Sequence, residues 1–178
     1  MKYQSSQCDR GFTLVEMLVV IAVIGISASI AAPSFLGFLQ RQRLNVAQAQ
    51  TLDVIRQAQN NAKREKRIWQ ASFRQDLDRV QWAVHPENLS LDRLDWNDLL
   101  GEDADLIEID PNYTTLLEQD GIYRVQFQYK GRVNGQLGRI TLVSRGSANS
   151  NHASKRCVWV STLLGALRTA GNRECVRN

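Results

Sequence analysis

From Phe12 to Leu39 the chain carries one ionisable side chain, Glu16, and from Met17 to Ala32 it carries none. An apolar run of this length can cross the roughly 30 Å hydrocarbon core of a bilayer as a helix. A cleaved secretory signal has a shorter apolar region that ends in a small-residue cleavage site, and here the run continues past that length. Beyond Pro33 the helical pattern resumes as an amphipathic one. Leu44, Ala47, Thr51, Leu52, Val54, Ile55, Ala58 and Ala62 fall within one stripe at 100° per residue, opposite Asn45, Asp53, Arg56, Gln57, Asn60, Lys63 and Arg64. No Gly or Pro interrupts residues 38–67. The pattern predicts a helix from about Phe12 to about Arg67, roughly 80 Å long at 1.5 Å per residue. Pro33 removes the helical bond to the Ser29 carbonyl, which predicts a kink or locally melted turn between Gly25 and Pro33.

From Ile68 the period changes from 3.6 to 2. Trp69, Ala71 and Phe73 alternate with Gln70, Ser72 and Arg74; Val80, Trp82 and Val84 alternate with Gln81 and Ala83; the intervening Gln75–Asp78 reads as a hairpin loop. Tyr123, Val125, Phe127 and Tyr129 make the cleanest strand, and a loop containing Asn134-Gly135 is expected to return the chain to a strand at Arg139–Val143. Further strands are expected at Arg156–Ser161 and around Ala166–Thr169. One-sided alternation means an antiparallel sheet with one packed and one wet face, and the helical stripe supplies the cover. The expected class is α+β, a long helix laid on an antiparallel sheet.

A length of 178 residues allows one ordinary domain with an appendage. With 43% hydrophobic residues the chain can bury a core. Two histidines and three cysteines are too few for a His-rich zinc site or a multi-disulfide scaffold. The net charge of +4 hides a segregation: residues 41–79 carry +5, residues 87–120 carry −10 and residues 121–178 carry +9. Partners must therefore be argued region by region. Lys2 and Arg10 precede the apolar run, so the positive-inside bias keeps residues 1–11 cytoplasmic and sends the rest across the membrane.

Gly11-Phe12-Thr13-Leu14-Val15-Glu16 opens the apolar run behind a short charged leader, and Pro33 follows within it. This combination resembles the class III signal of type IV pilins and type II secretion pseudopilins. The order of helix, hairpin, long loop and C-terminal strands is similar to the minor pilin and pseudopilin H (GspH/FimT-like) family. The resemblance implies cleavage between Gly11 and Phe12 by a membrane prepilin peptidase and N-methylation of the new Phe12 amine. It also implies other pilins or pseudopilins and an inner-membrane assembly platform as partners, besides the lipid bilayer. The expected division is a leader at 1–11, a transmembrane and filament-core helix at 12–39, the amphipathic half of that helix at 40–67 and a periplasmic sheet domain at 68–178. The expected function is a structural subunit of a type II secretion pseudopilus or type IV pilus, with no cofactor, no metal site and no catalytic constellation.

Thr13-Leu-Val-Glu16 fits a capping box at a helix N-terminus. A carboxylate in lipid also needs a partner or a proton, and the resemblance supplies one in the Phe12 ammonium of a neighbouring subunit. Gly25-xxx-Ser29 and Ala28-xxx-Ala32 read either as ordinary membrane-helix composition or as a close-packing face. Cys8 lies in the leader. Cys157 and Cys175 lie in the translocated domain, where disulfides persist, and a bridge between them is favoured over two separate buried thiols. The acidic stretch Asp92–Asp120 lacks the spacing and glycine of a helix-loop-helix calcium site and reads as a solvated loop or a surface for a basic neighbour. His85 and His152 are isolated. The basic C-terminal third carries the alternative function. Arg168, Arg139, Arg156 and Lys155 form a cationic field that attracts phosphate backbones, and some minor pilins of the resembled family take up DNA through a C-terminal Gly-Arg-x-Arg turn. Here the matching segment is Gly165-Ala166-Leu167-Arg168, with Ala166 in place of the first arginine, so docking on acidic protein neighbours is preferred over DNA.

Overall fold

The computed structural model describes residues 12–90, 93–148, 150 and 153–177, without the side chains of Ala31 and Pro33. The leader with Cys8 and Gly11, Asp92 in the acidic stretch, and His152 lie outside the described residues. The first helix, α1, spans Leu14–Glu65. Its backbone stays α-helical through Gly25–Pro33, so the expected melted turn is absent: one lost bond at Pro33 leaves its neighbours in place. The helix ends where Lys66 turns to φ 54°, with Lys63 and Arg64 in the last turn facing its negative dipole end.

The chain divides after Leu39 into two compact units. In the first, every large apolar side chain from Phe12 to Ile30 is exposed, so this surface needs lipid or another protein to cover it. In the second, Leu44, Ala47, Thr51, Val54, Ile55, Ala58 and Ala62 are all buried, and the opposite positions Asn45, Asp53, Arg56, Gln57, Asn60, Lys63 and Arg64 are exposed.

The strands are β1 Trp69–Asp76, β2 Arg79–Pro86, β3 Asn97–Asp98, β4 Ile107–Ile109, β5 Leu117–Gln119, β6 Ile122–Phe127, β7 Gly138–Ser144, β8 Lys155–Val160 and β9 Leu167–Gly171, with a short helix α2 at Arg173–Val176. They form two sheets, β3-β2-β1-β6-β5 and β4-β7-β8-β9, every pair antiparallel. Both sheets join one core with the helical stripe: Phe73, Val80, Val125 and Phe127 from the first sheet, Ile140, Leu142, Val158 and Val160 from the second.

The single expected sheet is therefore two. The expected return from the Tyr123 strand to Arg139–Val143 does not pair those segments: β6 and β7 lie in different sheets. The tight return occurs earlier, at Gln128–Arg132, where Val133 bridges back to Phe127 and the Asn134 N–H donates to the Gln126 carbonyl. Asn134-Gly135 thus follows a turn instead of making one. The crossing to the second sheet is tight at Gly138, where a Cβ would come within 2.5 Å of the Thr115 carbonyl oxygen.

The outer face of β1 and β2 also departs from the expected wet face, because Gln70 and Ser72 of β1 and His85 of β2 are buried there. Their polar atoms are satisfied in a directed chain. Gln128 Nε2 donates to Asn134 Oδ1, Asn134 Nδ2 to Gln126 Oε1, Gln126 Nε2 to Gln70 Oε1, and Gln70 Nε2 reaches the His85 ring at 3.2 Å. His85 Nδ1 lies 3.0 Å from the Pro86 carbonyl, and Nε2 lies 3.0 Å from Ser72 Oγ. This network assigns the proton of the neutral ring to Nδ1 and leaves Nε2 as an acceptor.

Burial lowers the pKa of His85 below 6.5, against the raising effect of the Pro86 carbonyl. The unfolded chain therefore binds the proton first as pH falls. Stability of the second unit is expected to be level above the unfolded value and to decline as pH drops from 6.5 toward the lowered folded value. Urea midpoints between pH 8 and pH 5 check this, and His85→Gln is expected to flatten that part of the profile.

Candidate functional site

Two regions carry the candidate chemistry, one in each unit. In the first, Thr13 caps α1: its Oγ1 accepts the Glu16 N–H at 3.2 Å, and its carbonyl accepts the Met17 N–H. The reciprocal half of a capping box, a bond from the Glu16 carboxylate back to the helix start, is not formed among the described residues. Glu16 and Phe12 are both exposed at the start of an apolar helix. The carboxylate therefore has no neutralising group within the described chain, in a position where a lone charge is costly. Further along, the Ser27 and Ser29 hydroxyls donate to the Val23 and Ile26 carbonyls. Their polar groups are consumed inside the helix, and Gly25 has open space where a Cβ would stand. Gly25 and Ser29, four residues apart, present small surface on one face, and Ser27 lies on the other side of the helix.

The second region is the outer face of the second sheet. Register aligns Arg139 of β7, Trp159 of β8 and Arg168 of β9 side by side. Both guanidinium groups lie over the indole, at 4.6 and 5.0 Å from its centroid, a stacked cationic and aromatic ladder. Cys157 and Cys175 are joined by a disulfide with Cα atoms 5.7 Å apart, tying α2 to β8. Trp159, Arg168, Glu174 and Arg177 line a shallow pocket of about 390 Å3 beside it.

Of the four cations expected to form a phosphate-attracting field, two must be withdrawn. Arg139 is only 2% exposed: it donates to the Tyr113 and Arg177 carbonyls and stacks on Trp159. Lys155 is likewise 2% exposed, with its ammonium 2.6 Å from the buried Asp110 carboxylate and over the Tyr113 ring. Neither can meet a phosphate backbone, because each charge is satisfied inside the fold. Arg156 donates to Asn45 of α1 and to the Lys155 carbonyl. Arg168 alone of the four is half exposed, and its only ion pair among the described residues is a loose one to Glu174 at 3.5 Å.

The acidic stretch is not a free solvated loop either. Asp98 pairs with Arg79, Asp103 with Arg43 and Asp110 with Lys155, and Glu108 accepts the Ser147 and Ala148 N–H groups. One of these pairs, Asp110 with Lys155, joins the acidic stretch to the basic C-terminal third, while Glu87, Asp95, Glu102, Asp105, Glu118 and Asp120 stay exposed. No group of three metal-ligating side chains occurs among the described residues. The ion pair of Asp110 and Lys155 was invisible to composition, which counts charges and not their partners.

The family described as the prokaryotic N-terminal methylation motif matches residues 7–32. The type IV major pilin protein PilA of Myxococcus xanthus (strain DK1622) is 49% identical over 39 residues, 22% of this chain and 18% of PilA. Fimbrial protein EcpC of Eikenella corrodens is 44% identical over 41 residues, 23% of this chain and 27% of EcpC. The match thus spans about a quarter or less of these relatives' length. Among solved structures, the type IV minor pilin FimU of Pseudomonas aeruginosa superposes with a TM-score of 0.52 at 14% identity, over 75% of this chain and 92% of FimU. The minor pseudopilin EpsH of the type 2 secretion system of Vibrio cholerae gives 0.46 at 14% identity, over 72% and 96%. The chain carries a prepilin-type methylation motif and has a type IV pilin-like fold.

Removing one partner of the buried ion pair leaves the other charge stranded. Asp110→Ala is expected to destabilise the second unit by about 3–5 kcal/mol in denaturant titrations, and Asp110→Leu combined with Lys155→Met is expected to recover most of that loss.

Proposed function

We propose that this chain is a minor subunit of a type IV filament, a non-enzymatic pilin or pseudopilin held in the inner membrane until its N-terminal helix is drawn into the filament. The observation that carries this is the joint presence of the methylation motif at residues 7–32 and a minor-pilin fold over most of the remaining chain. Prepilin peptidase cuts between Gly11 and Phe12, and the Phe12 amine is methylated. Residues 12–39 anchor the chain with the N-terminus cytoplasmic, residues 40–67 continue the helix onto the domain, and the sheets of 68–178 lie in the periplasm. The assembly platform and neighbouring pilins are its partners.

Glu16 has a specific part in this. In the filament its carboxylate neutralises the Phe12 ammonium of the adjacent subunit, so that two charges costly in an apolar bundle enter together. Support comes from the incomplete capping box: Thr13 caps the helix, while the Glu16 carboxylate has no partner in the described chain. DNA uptake is set aside in this proposal, since two of its four cations are buried and Ala166 interrupts the arginine pattern.

Glu16→Val and Glu16→Gln test the pairing. Both variants are expected to insert and fold, read by membrane fractionation and by disulfide formation. Their incorporation into sheared filaments is expected to fall tenfold or more, equivalent to about 1.4 kcal/mol. Wild-type incorporation of both variants would reduce Glu16 to a helix cap.

A further inference from the structure

The second sheet ends in an open strand. In β8 and β9 the hydrogen-bonded pairs are fixed by the Ser161 N–H donating to the Ala166 carbonyl and the Asn172 N–H to the Lys155 carbonyl. Alternation then makes Cys157/Ala170 and Trp159/Arg168 the bonded pairs between them, in the observed register. The N–H and C=O groups of Leu167 and Thr169 consequently point away from β8, and β9 is the last strand of its sheet. This edge carries no proline or bulge among its five residues, and its one charge, Arg168, is on the outer face.

Beside this edge stand two exposed arginines, Arg168 and Arg177, and one acid, Glu174. Arg168 is the outward-facing residue at the strand's middle, next to the pocket it shares with Trp159 and Arg177. Its present partner, Glu174, is held at 3.5 Å with both side chains more than half exposed, a contact of little strength in water. On the opposite face Leu167 packs against the core cluster. A strand laid along β9 would bond to Leu167 and Thr169 and would place the residue facing Arg168 in a close, non-hydrogen-bonded pair.

We propose that β9 is a docking strand for an acidic extended segment of a neighbouring filament subunit, which adds to the sheet edge and presents carboxylates to Arg168 and Arg177 over Trp159. The register sets the pattern of that segment: acidic residues at alternate positions on the outer face, aliphatic residues between them on the side of Leu167. Main-chain bonds supply affinity and the arginines select the sign of charge. The segment displaces Glu174 from Arg168. This rests on the filament-subunit role for the identity of the partner, while the edge itself is a property of the second unit.

The test uses the full chain in zwitterionic detergent and two capped, fluorescent peptides, one alternating Val and Glu and one alternating Val and Lys, read by anisotropy. The Val/Glu peptide is expected to bind at least tenfold more tightly than the Val/Lys peptide. Arg168→Glu is expected to reverse that preference. Thr169→Pro removes only an outward N–H, which an edge strand tolerates, and is expected to abolish binding, whereas Thr169→Ala retains it. Retained disulfide and unchanged thermal unfolding in Thr169→Pro would show that the fold is kept. Equal binding of both peptides, or unchanged binding in a folded Thr169→Pro, would overturn the proposal. A short DNA duplex that binds more tightly than the Val/Glu peptide, loses affinity in Arg168→Glu and keeps it in Thr169→Pro would also overturn it. Each of these outcomes can occur in a chain whose N-terminus is processed normally, so failure of the docking strand is distinguishable from failure of the filament role.

Discussion

The second unit depends on one helical stripe shared by two sheets. Leu44, Ala47, Val54, Ile55, Ala58 and Ala62 join residues from strands of both sheets in a single buried cluster. Alanine at 47, 58 and 62 lets the sheets approach the helix closely, while Leu44 and Ile55 fill the space between them. Two helix glutamines hold the backbone to the same surface. Gln48 Nε2 donates to the Cys157 and Ala170 carbonyls, and Gln59 Nε2 donates to the Gly131 and Gly165 carbonyls. Gly165, at φ +82°, is required there: a Cβ would meet the Gly131 oxygen at 2.4 Å. A helix that must be the core of this unit cannot also vary freely along its buried face.

That constraint orders the charges. With the inner faces committed to the helix, the acidic residues of 87–120 and the basic residues of 121–178 are left to the outer faces, edges and connecting loops. There some of them pair: Asp110 takes Lys155, Asp98 takes Arg79 and Asp103 takes Arg43. Two exposed charges bear on assembly: Glu16 at the start of the apolar helix, without an ion pair among the described residues, and Arg168 at an open sheet edge, held only by a loose pair to Glu174.

The helix was legible because 3.6-residue periodicity reports burial directly, and every residue assigned to the stripe is buried or half-buried. The strands β1, β2 and β6 were legible for the same reason at period 2. Their partition into two sheets was not, because alternation tells which side chains share a face and says nothing about which strand lies alongside. Strands β3, β4 and β5, of two or three residues, are too short to show a period. The buried outer face at Gln70, Ser72 and His85 was misread because small and amide side chains count as polar, although longer neighbours can cover and bond them. Arg139 and Lys155 were misread similarly: their cationic character is plain in the sequence, and their carbonyl and carboxylate partners lie 26–45 residues away. The N-terminal motif was the most legible part, since its chemistry depends on adjacent residues.

The proposed filament role requires that the chain be made as a precursor and matured at Gly11-Phe12. Intact-mass measurement of the protein purified from membranes of its native cells tests it most directly. The expected species begins at Phe12 and is heavier than the bare cleavage product by one methyl group, with Cys157 and Cys175 oxidised. A membrane-bound species that still carries residues 1–11, in cells whose other pilins are processed, would contradict that role.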